Sequence, residues 1–580
     1  MGSRKTTVNM PDDQKELIEN VRQCLEENRV SDAWDLTFGE ENKKLVGSCS
    51  QELFSVVSKY LNEDSALKNT VVFEYAKDLV RQIADQHEPE ETLLELLEFV
   101  ETADVTGFLI YTDALKTCLH KMPNKRGTSI IWVCNTIVRY LCDMDLPKEI
   151  EDEKYDCFLE EDSAEAKNII KVYNSIINMF EPFVREVETG QFEVKEKHRV
   201  EYVETILKFL LKLLGRPLAF MDLETKSYYE ISCKIIKFIS VYKHDPLHYL
   251  SCIDVNCSVY DALSSTTVDA DYTNLSLMVF YHMLFKHKLG LNEIAHVYSI
   301  EYILENILTM THDVLTMRNP PTQLKATEMT LKFFERVCDK SLSINNLPFT
   351  VVSKFIEVLT HTMVYSDTKT IRQKSVQIYK QFLYKFNSEG RFRLITSLDK
   401  TGDPGLVGYG LTILKDFIVE TLDKNDSQDL KEFTGTKLKY LLQQFCTMDL
   451  NDDLVRNSDR IISTLNLLRF IVIRDQDNIT GIAQYIEKLE DDYLTPLKHR
   501  IEVMRREHVF EKDGLIKCQE RGSESDVKKV LGLTCDVPID EQIKALDKSF
   551  TILDLIDSLR SRLSMFIYSK VNKVEIPIDT

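Results

Sequence analysis

Apolar residues recur at three- and four-residue spacing along almost the whole chain, the period of one helix face. Val203, Ile206, Leu207, Leu210, Leu211 and Leu214 form a dense stripe that stops at Gly215-Arg216-Pro217. Glycine frees the backbone there and proline bars continuation. Leu17, Val21, Cys24 and Leu25 mark an earlier helix, with Asp12 or Asp13 as its cap. Leu93, Leu94, Leu96, Leu97 and Val100 mark another, and 130–141, 229–241, 275–285 and 348–358 continue the pattern. Leu324, Met329, Leu331, Phe334 and Val337 repeat at helical intervals. In 371–386, Val376, Tyr379, Phe382, Leu383 and Phe386 face one way. Arg372 and Lys374 sit in its first turn, where the helix dipole disfavours cations, so an acidic partner is expected nearby. A final helix carries Leu546, Phe550, Leu553, Ile556, Leu559, Leu563 and Phe566 on one side.

These blocks predict an all-α protein. No fixed-period consensus is present, but helix pairs recur loosely every ~35–50 residues, which fits a HEAT-like or armadillo-like helical repeat superhelix, an α-solenoid. A plain helical bundle is the alternative. At 580 residues the chain exceeds one ordinary core, and two regions are expected, 1–315 and 316–580. The Met317–Thr322 phrase, MRNPPT, supplies the break, with Pro320-Pro321 ending the first region. The acidic stretch 143–162, the mixed stretch 184–197 and the GSESD-containing stretch 511–538 read as long loops. Gly408-Tyr409-Gly410 reads as a polar bend.

The clearest single helix is RNSDRIISTLNLLRFIVIRDQDNITG, residues 456–481. Ser458 is placed to cap it, Ile461, Leu465, Leu468 and Val472 form its buried stripe, and Asn478, Thr480 and Gly481 end it.

Composition narrows the function classes. Net charge is −21, which disfavours a phosphate backbone or an anionic membrane as partner. No apolar run is long enough to span a bilayer, and the first residues have no apolar signal core. Met1-Gly2-Ser3 is only a weak match to an acylation signal. The 13 cysteines are scattered without a CxxC pair, and Cys24, Cys134 and Cys446 fall inside apolar patterns. They read as reduced core thiols of a cytosolic or nuclear protein. His244 and His248 have the one-turn spacing of a metal pair, but Pro246 between them breaks the helix that would align them. The interleaved basic and aromatic run YKQFLYKFNSEGRFR, 379–393, is the best local basic patch, read as solvated helix surface, protein-binding patch or nucleic-acid groove. No phosphate loop, nucleophile elbow or kinase catalytic loop occurs, so no catalytic residue, cofactor or metal ligand is assigned.

The 457–481 segment resembles the glomulin family. The matching residues are Asn457, Ser458, Asp459, Arg460, Ile461, Thr464 to Asp475, and then Asn478, Thr480 and Gly481. The likeness extends through Leu494, Pro496 and Leu497, the TIRQKS segment at 370–375 and the last helix. The resemblance implies a HEAT-like inhibitor, not an enzyme. Such proteins bind the RING-box subunit of cullin–RING ubiquitin ligases through their C-terminal repeats and cover the surface that receives the ubiquitin-charged conjugating enzyme. It also implies an FK506-binding immunophilin as a further partner. Asn457, Asp459, Arg460, Asn466 and Arg469 are the polar residues of the segment that can contact the RING. Each can equally hold a neighbouring repeat, and a general scaffold or adaptor is the alternative function.

Overall fold

Short polar side chains open the helices. The carboxylate or hydroxyl oxygen of Asp104, Ser163 and Ser299 accepts the backbone N–H three residues on, at 2.8, 3.1 and 3.1 Å. Asn319 and Asn387 do the same at 3.2 and 2.9 Å. Each bond satisfies a first-turn amide that has no partner within the helix. At the other end of the 164–189 helix, Gly190 takes φ +69, a left-handed cap that costs glycine nothing.

The computed structural model describes residues 11–148, 162–194, 196–243, 245–252, 274–289, 297–398, 403–424, 426–447, 453–521 and 538–572. Among these residues the regular elements are helical, and the one extended pairing is an isolated bridge between Leu342 and Phe386. The chain divides into two units, Met1–Arg336 with Pro348–Ile378, and Val337–Leu347 with Tyr379–Thr580.

In the first unit, every second helix is a neighbour. Thr70–Gln86, Val105–Lys121, Ala164–Thr189 and Lys226–Tyr242 pack in succession. Beside them Pro89–Val100, Arg126–Asp143 and Glu196–Lys212 form a second row. Asn274–His287 packs on Pro320–Phe334, and Ile300–Thr316 on Phe349–Tyr365. A helix in such an array must bury one face on its own row and another on the adjoining row. The 70–86 helix accordingly buries Val72, Phe73, Tyr75, Ala76, Leu79, Val80 and Ile83. The 274–287 helix is buried all round, from Asn274 to Phe285. This is the packing logic of a HEAT/armadillo-like α-solenoid, the expected fold class.

In the second unit, Pro404–Lys424 packs on Ser458–Arg474, which packs in turn on the long Ile539–Asn572 helix. Thr495–Arg521 lies against that last helix too. Leu494 and Leu497 are fully buried on either side of Pro496, where the π-helical turn Glu490–Leu494 runs into the 495–521 helix.

Several local expectations are corrected. Gly408-Tyr409-Gly410 is no bend but lies inside the Pro404–Lys424 helix. Pro320 and Pro321 open the helix that carries Leu324, Met329 and Leu331, at the N-terminal positions that tolerate proline. The 495–521 helix runs through the first part of the expected 511–538 loop, and GSESD lies outside the described residues. The first helix, Asp12–Glu26, follows Pro11, and neither Asp12 nor Asp13 caps it. Most of the acidic stretch 143–162 also lies outside the described residues.

Candidate protein-binding site on the 458–474 helix

The Ser458–Arg474 helix is held at both ends by carboxylates. Before it, Asp453 Oδ1 accepts the N–H groups of Val455 and Arg456 at 2.9 and 3.1 Å. This turn delivers the chain into the helix, and Ser458, the first helical residue, makes no side-chain cap. After it, Asp475 is buried and accepts the N–H of Ile479 at 2.6 Å, the N–H of Thr480 at 3.1 Å and the Thr480 hydroxyl. Asn478 and Gly481 turn the chain with φ +55 and +67. Lys570 Nζ donates to the Asp475 carbonyl at 2.6 Å, placing a cation on the helix C-terminus. The N-x-T-G phrase is therefore a clasp that ends the helix.

Between these ends, Ile461, Leu465, Leu468 and Val472 are buried, as the spacing predicts. Thr464, Leu467 and Ile471 are buried with them, which widens the stripe to serve two neighbouring helices. Gly408 explains how close one neighbour comes. A Cβ there would lie 2.8 Å from the Asp459 carbonyl oxygen, so only glycine lets the 404–424 helix approach. The sequence reading missed this role because two glycines in three residues look like a turn.

The five polar residues separate into two groups. Asn457, Asp459 and Arg460 lie at the entrance, Asp459 exposed and the other two half-buried. The Arg460 charge opposes the burial that pushes the Cys446 thiol up to about 12. Asn466, exposed, and Arg469, half-buried, lie about two turns further on, roughly 10 Å along the axis from Asp459. They line one groove of about 400 Å³ between the 404–424 and 458–474 helices, with Thr412, Lys415 and Phe470. The Lys415 ammonium stands 5.1 Å from the Phe470 ring centre, and the Arg469 guanidinium 5.5 Å from that of Phe566. Each cation is within cation–π distance of its ring. Lys415 and Thr412 were not singled out from the sequence, since their place follows from the Gly408 approach.

The basic run 379–393 is neutralised. Lys380 lies 3.8 Å from Asp416, Lys385 2.8 Å from Asp339, Arg391 3.0 Å from Glu420 and Arg393 2.7 Å from Glu389. A strip with each of these cations paired offers no free positive surface to a phosphate backbone. Lys374 has the acidic partner expected for it, Glu328 at 3.1 Å, and Arg372 donates to backbone carbonyls of Ser366 and Asp367. Of the candidate histidine pair, His248 lies in the short Pro246–Cys252 turn and His244 is outside the described residues. Among the described residues no helix is long and apolar enough to cross a membrane.

The two-row packing of the first unit and the stacked helices of the second define a helical-repeat protein of the HEAT/armadillo-like class. Comparison with known proteins sharpens this. A sequence-family model described as "Uncharacterised protein family, YAP/Alf4/glomulin" matches residues 280–533. The mouse protein glomulin is 24% identical over 579 residues, 95% of this chain and 92% of the relative. Human glomulin is also 24% identical, again over 95% of this chain and 92% of its own length. Among solved structures, a circular tandem repeat protein aligns over 97% of this chain and 96% of its own, at 10% identity and a TM-score of 0.21, which carries no argument. The chain is thus glomulin-like along nearly its whole length.

Proposed function

We propose that this protein inhibits cullin–RING ubiquitin ligases by binding their RING-box subunit and covering the surface that receives the ubiquitin-charged conjugating enzyme. The observation that carries the reading is the near full-length similarity to glomulin. The long 457–481 match lies inside the segment that the family model covers. The mechanism is masking. It needs affinity and placement, and it asks no proton transfer or nucleophile of this chain. Residues 316–580 carry the contact in this reading, and an immunophilin of the FK506-binding type is a further partner. The place of action is the cytosol and nucleus.

The groove beside Asn466 and Arg469 supports the choice of surface. A partner side chain with an acceptor oxygen can bond the Asn466 amide and the Arg469 guanidinium while an apolar group rests on Phe470. The net charge of −21 steers the chain toward a basic partner face from a distance.

The test uses the full-length chain with a purified cullin–RING-box complex. It is expected to bind and to block ubiquitin-chain formation. Asn466→Ala should weaken binding without moving Tm, because Asn466 is exposed. Arg469→Ala should weaken binding too, with a small loss of stability from the Phe566 contact. Absence of binding to the RING-box subunit overturns the reading and leaves a scaffold or adaptor on the same surface.

A further inference from the structure

In the first unit, Glu224, His282 and His287 bring one metal-ligating atom each to within 4.8 Å of one another. His282 and His287 lie on the last turns of the Asn274–His287 helix, and Glu224 lies in the short segment just before the Lys226–Tyr242 helix. We propose that Glu224, His282 and His287 form a binding site for a zinc-class divalent cation, which ties the 222–224 segment to the end of the 274–287 helix.

The ligand chemistry selects the metal class. Two imidazoles and one carboxylate suit zinc and its neighbours and are a poor set for magnesium or calcium. His282 is 1% exposed, and its Nδ1 lies 3.1 Å from the Lys325 carbonyl oxygen. A carbonyl only accepts, so Nδ1 carries the proton and Nε2 keeps the lone pair. Metal-bound histidines are oriented by this kind of outer hydrogen bond. His287 Nε2 is buried without a hydrogen bond, 3.4 Å from Glu224 Oε1. A cavity of about 150 Å³, lined by Glu224, His282, Lys286 and Lys325 among others, adjoins the two ligands Glu224 and His282. Bonds of about 2.0–2.1 Å place tetrahedral ligand atoms roughly 3.3 Å apart, so the three atoms must draw closer. Glu224 is exposed and can make that movement once it leaves Lys286.

Lys286 is the competitor. Its Nζ lies 2.6 Å from Glu224 Oε1 and 2.6 Å from Glu328 Oε2. An incoming cation takes Glu224 from the ammonium, and Lys286 keeps Glu328, which Lys374 also holds at 3.1 Å. The lysine therefore sets the affinity, and removing it tightens the site.

The decisive experiment titrates the full-length, chelator-stripped chain with Zn2+ by calorimetry and with Co2+ as a spectroscopic probe. One equivalent of Zn2+ per chain is expected, with a rise in Tm that EDTA reverses. Co2+ should give tetrahedral d–d bands without a thiolate charge-transfer band. His287→Asn and Glu224→Gln should each weaken binding more than about tenfold, and Lys286→Gln should tighten it. Should His282→Asn fail to fold, those three substitutions still decide. No stoichiometric uptake, uptake unchanged in both His287→Asn and Glu224→Gln, a thiolate–cobalt band, or weaker binding in Lys286→Gln each overturns the proposal.

Discussion

Arg126 in the first unit and Arg391 in the second are both buried, and both do the same local task. Each sits in the first turns of a helix and donates to a backbone carbonyl seven residues upstream, at the end of the preceding helix. For Arg126 the bond is Nε to the Leu119 oxygen at 2.9 Å, and for Arg391 it is Nη2 to the Tyr384 oxygen at 2.7 Å. Each guanidinium also rests near an aromatic ring, Phe183 at 5.2 Å or Phe417 at 4.5 Å, and binds a glutamate from a following helix or its flank. A helix hairpin leaves unpaired carbonyls at its corner, and a planar cation with five donors can satisfy them while crossing to the next helix.

The two differ in how the charge is shared. Arg126 bonds Glu186 at 2.5 Å and Glu193 at 2.6 Å. Arg391 bonds Glu420, which Lys340 and Lys424 also hold at 3.2 and 2.9 Å. The acids report this difference. Burial raises the Glu186 carboxyl above its ordinary range, and Arg126 only partly offsets it. Burial acts upward on Glu420 too, but its lysine partners and Arg391 bring it down to about 2. At the first corner one arginine holds two carboxylates, and at the second three cations hold one.

The largest expected effect tests that difference. Arg126→Ala leaves Glu186 half-buried and uncompensated and should cost about 3–5 kcal/mol in chemical denaturation. Arg391→Ala should cost less, because two lysines remain on Glu420. Equal losses would break the comparison. Arg126→Lys comes next, since one ammonium cannot reach two carboxylates and the Leu119 and His120 carbonyls together. It should recover only part of the loss.

The pH dependence sharpens the contrast, with opposite signs. Glu420 is lowered from an ordinary ~4.3 to about 2, so its stabilisation is present above the higher value and lost as pH falls through the lower. Glu420→Gln should flatten that part of the acid limb. Glu186 is raised, so the folded state takes up its proton first and this group favours folding as pH falls. Glu186→Gln should remove that gain, read from denaturation midpoints between pH 7 and 3. The smallest effect is the control. The Arg393–Glu389 pair is an exposed i,i+4 contact, and Arg393→Ala should change stability by about 0.5 kcal/mol or less.

How legible these features were depended on range. The stripe Ile461, Leu465, Leu468 and Val472 could be read because burial on a helix follows a local period. The stop at Asn478 and Gly481 could be read because left-handed backbone favours those residues. Arg391 could not. It stands in a run of aromatics and cations that reads as surface, and its burial depends on Glu420, 29 residues away. The Gly408 approach and the groove at Asn466 and Arg469 were hidden for the same reason. A glycine in a helix and a glycine in a turn look alike until the partner helix is known.

The sequence by itself determined the helical class, the helix phases and the stop at Asn478 and Gly481, because each is fixed within one or two turns of backbone, whereas the N-terminal caps it offered at Asp12 or Asp13 and at Ser458 are not made. Tertiary structure alone decided which polar residues meet. Glu224 reaches His282 and Lys286, and Arg126 reaches Glu186, only because rows of helices bring together positions about 60 residues apart in the chain. Local spacing carries no record of a charge partner on another helix, and the free energy of such a pair depends on the burial that the packing creates.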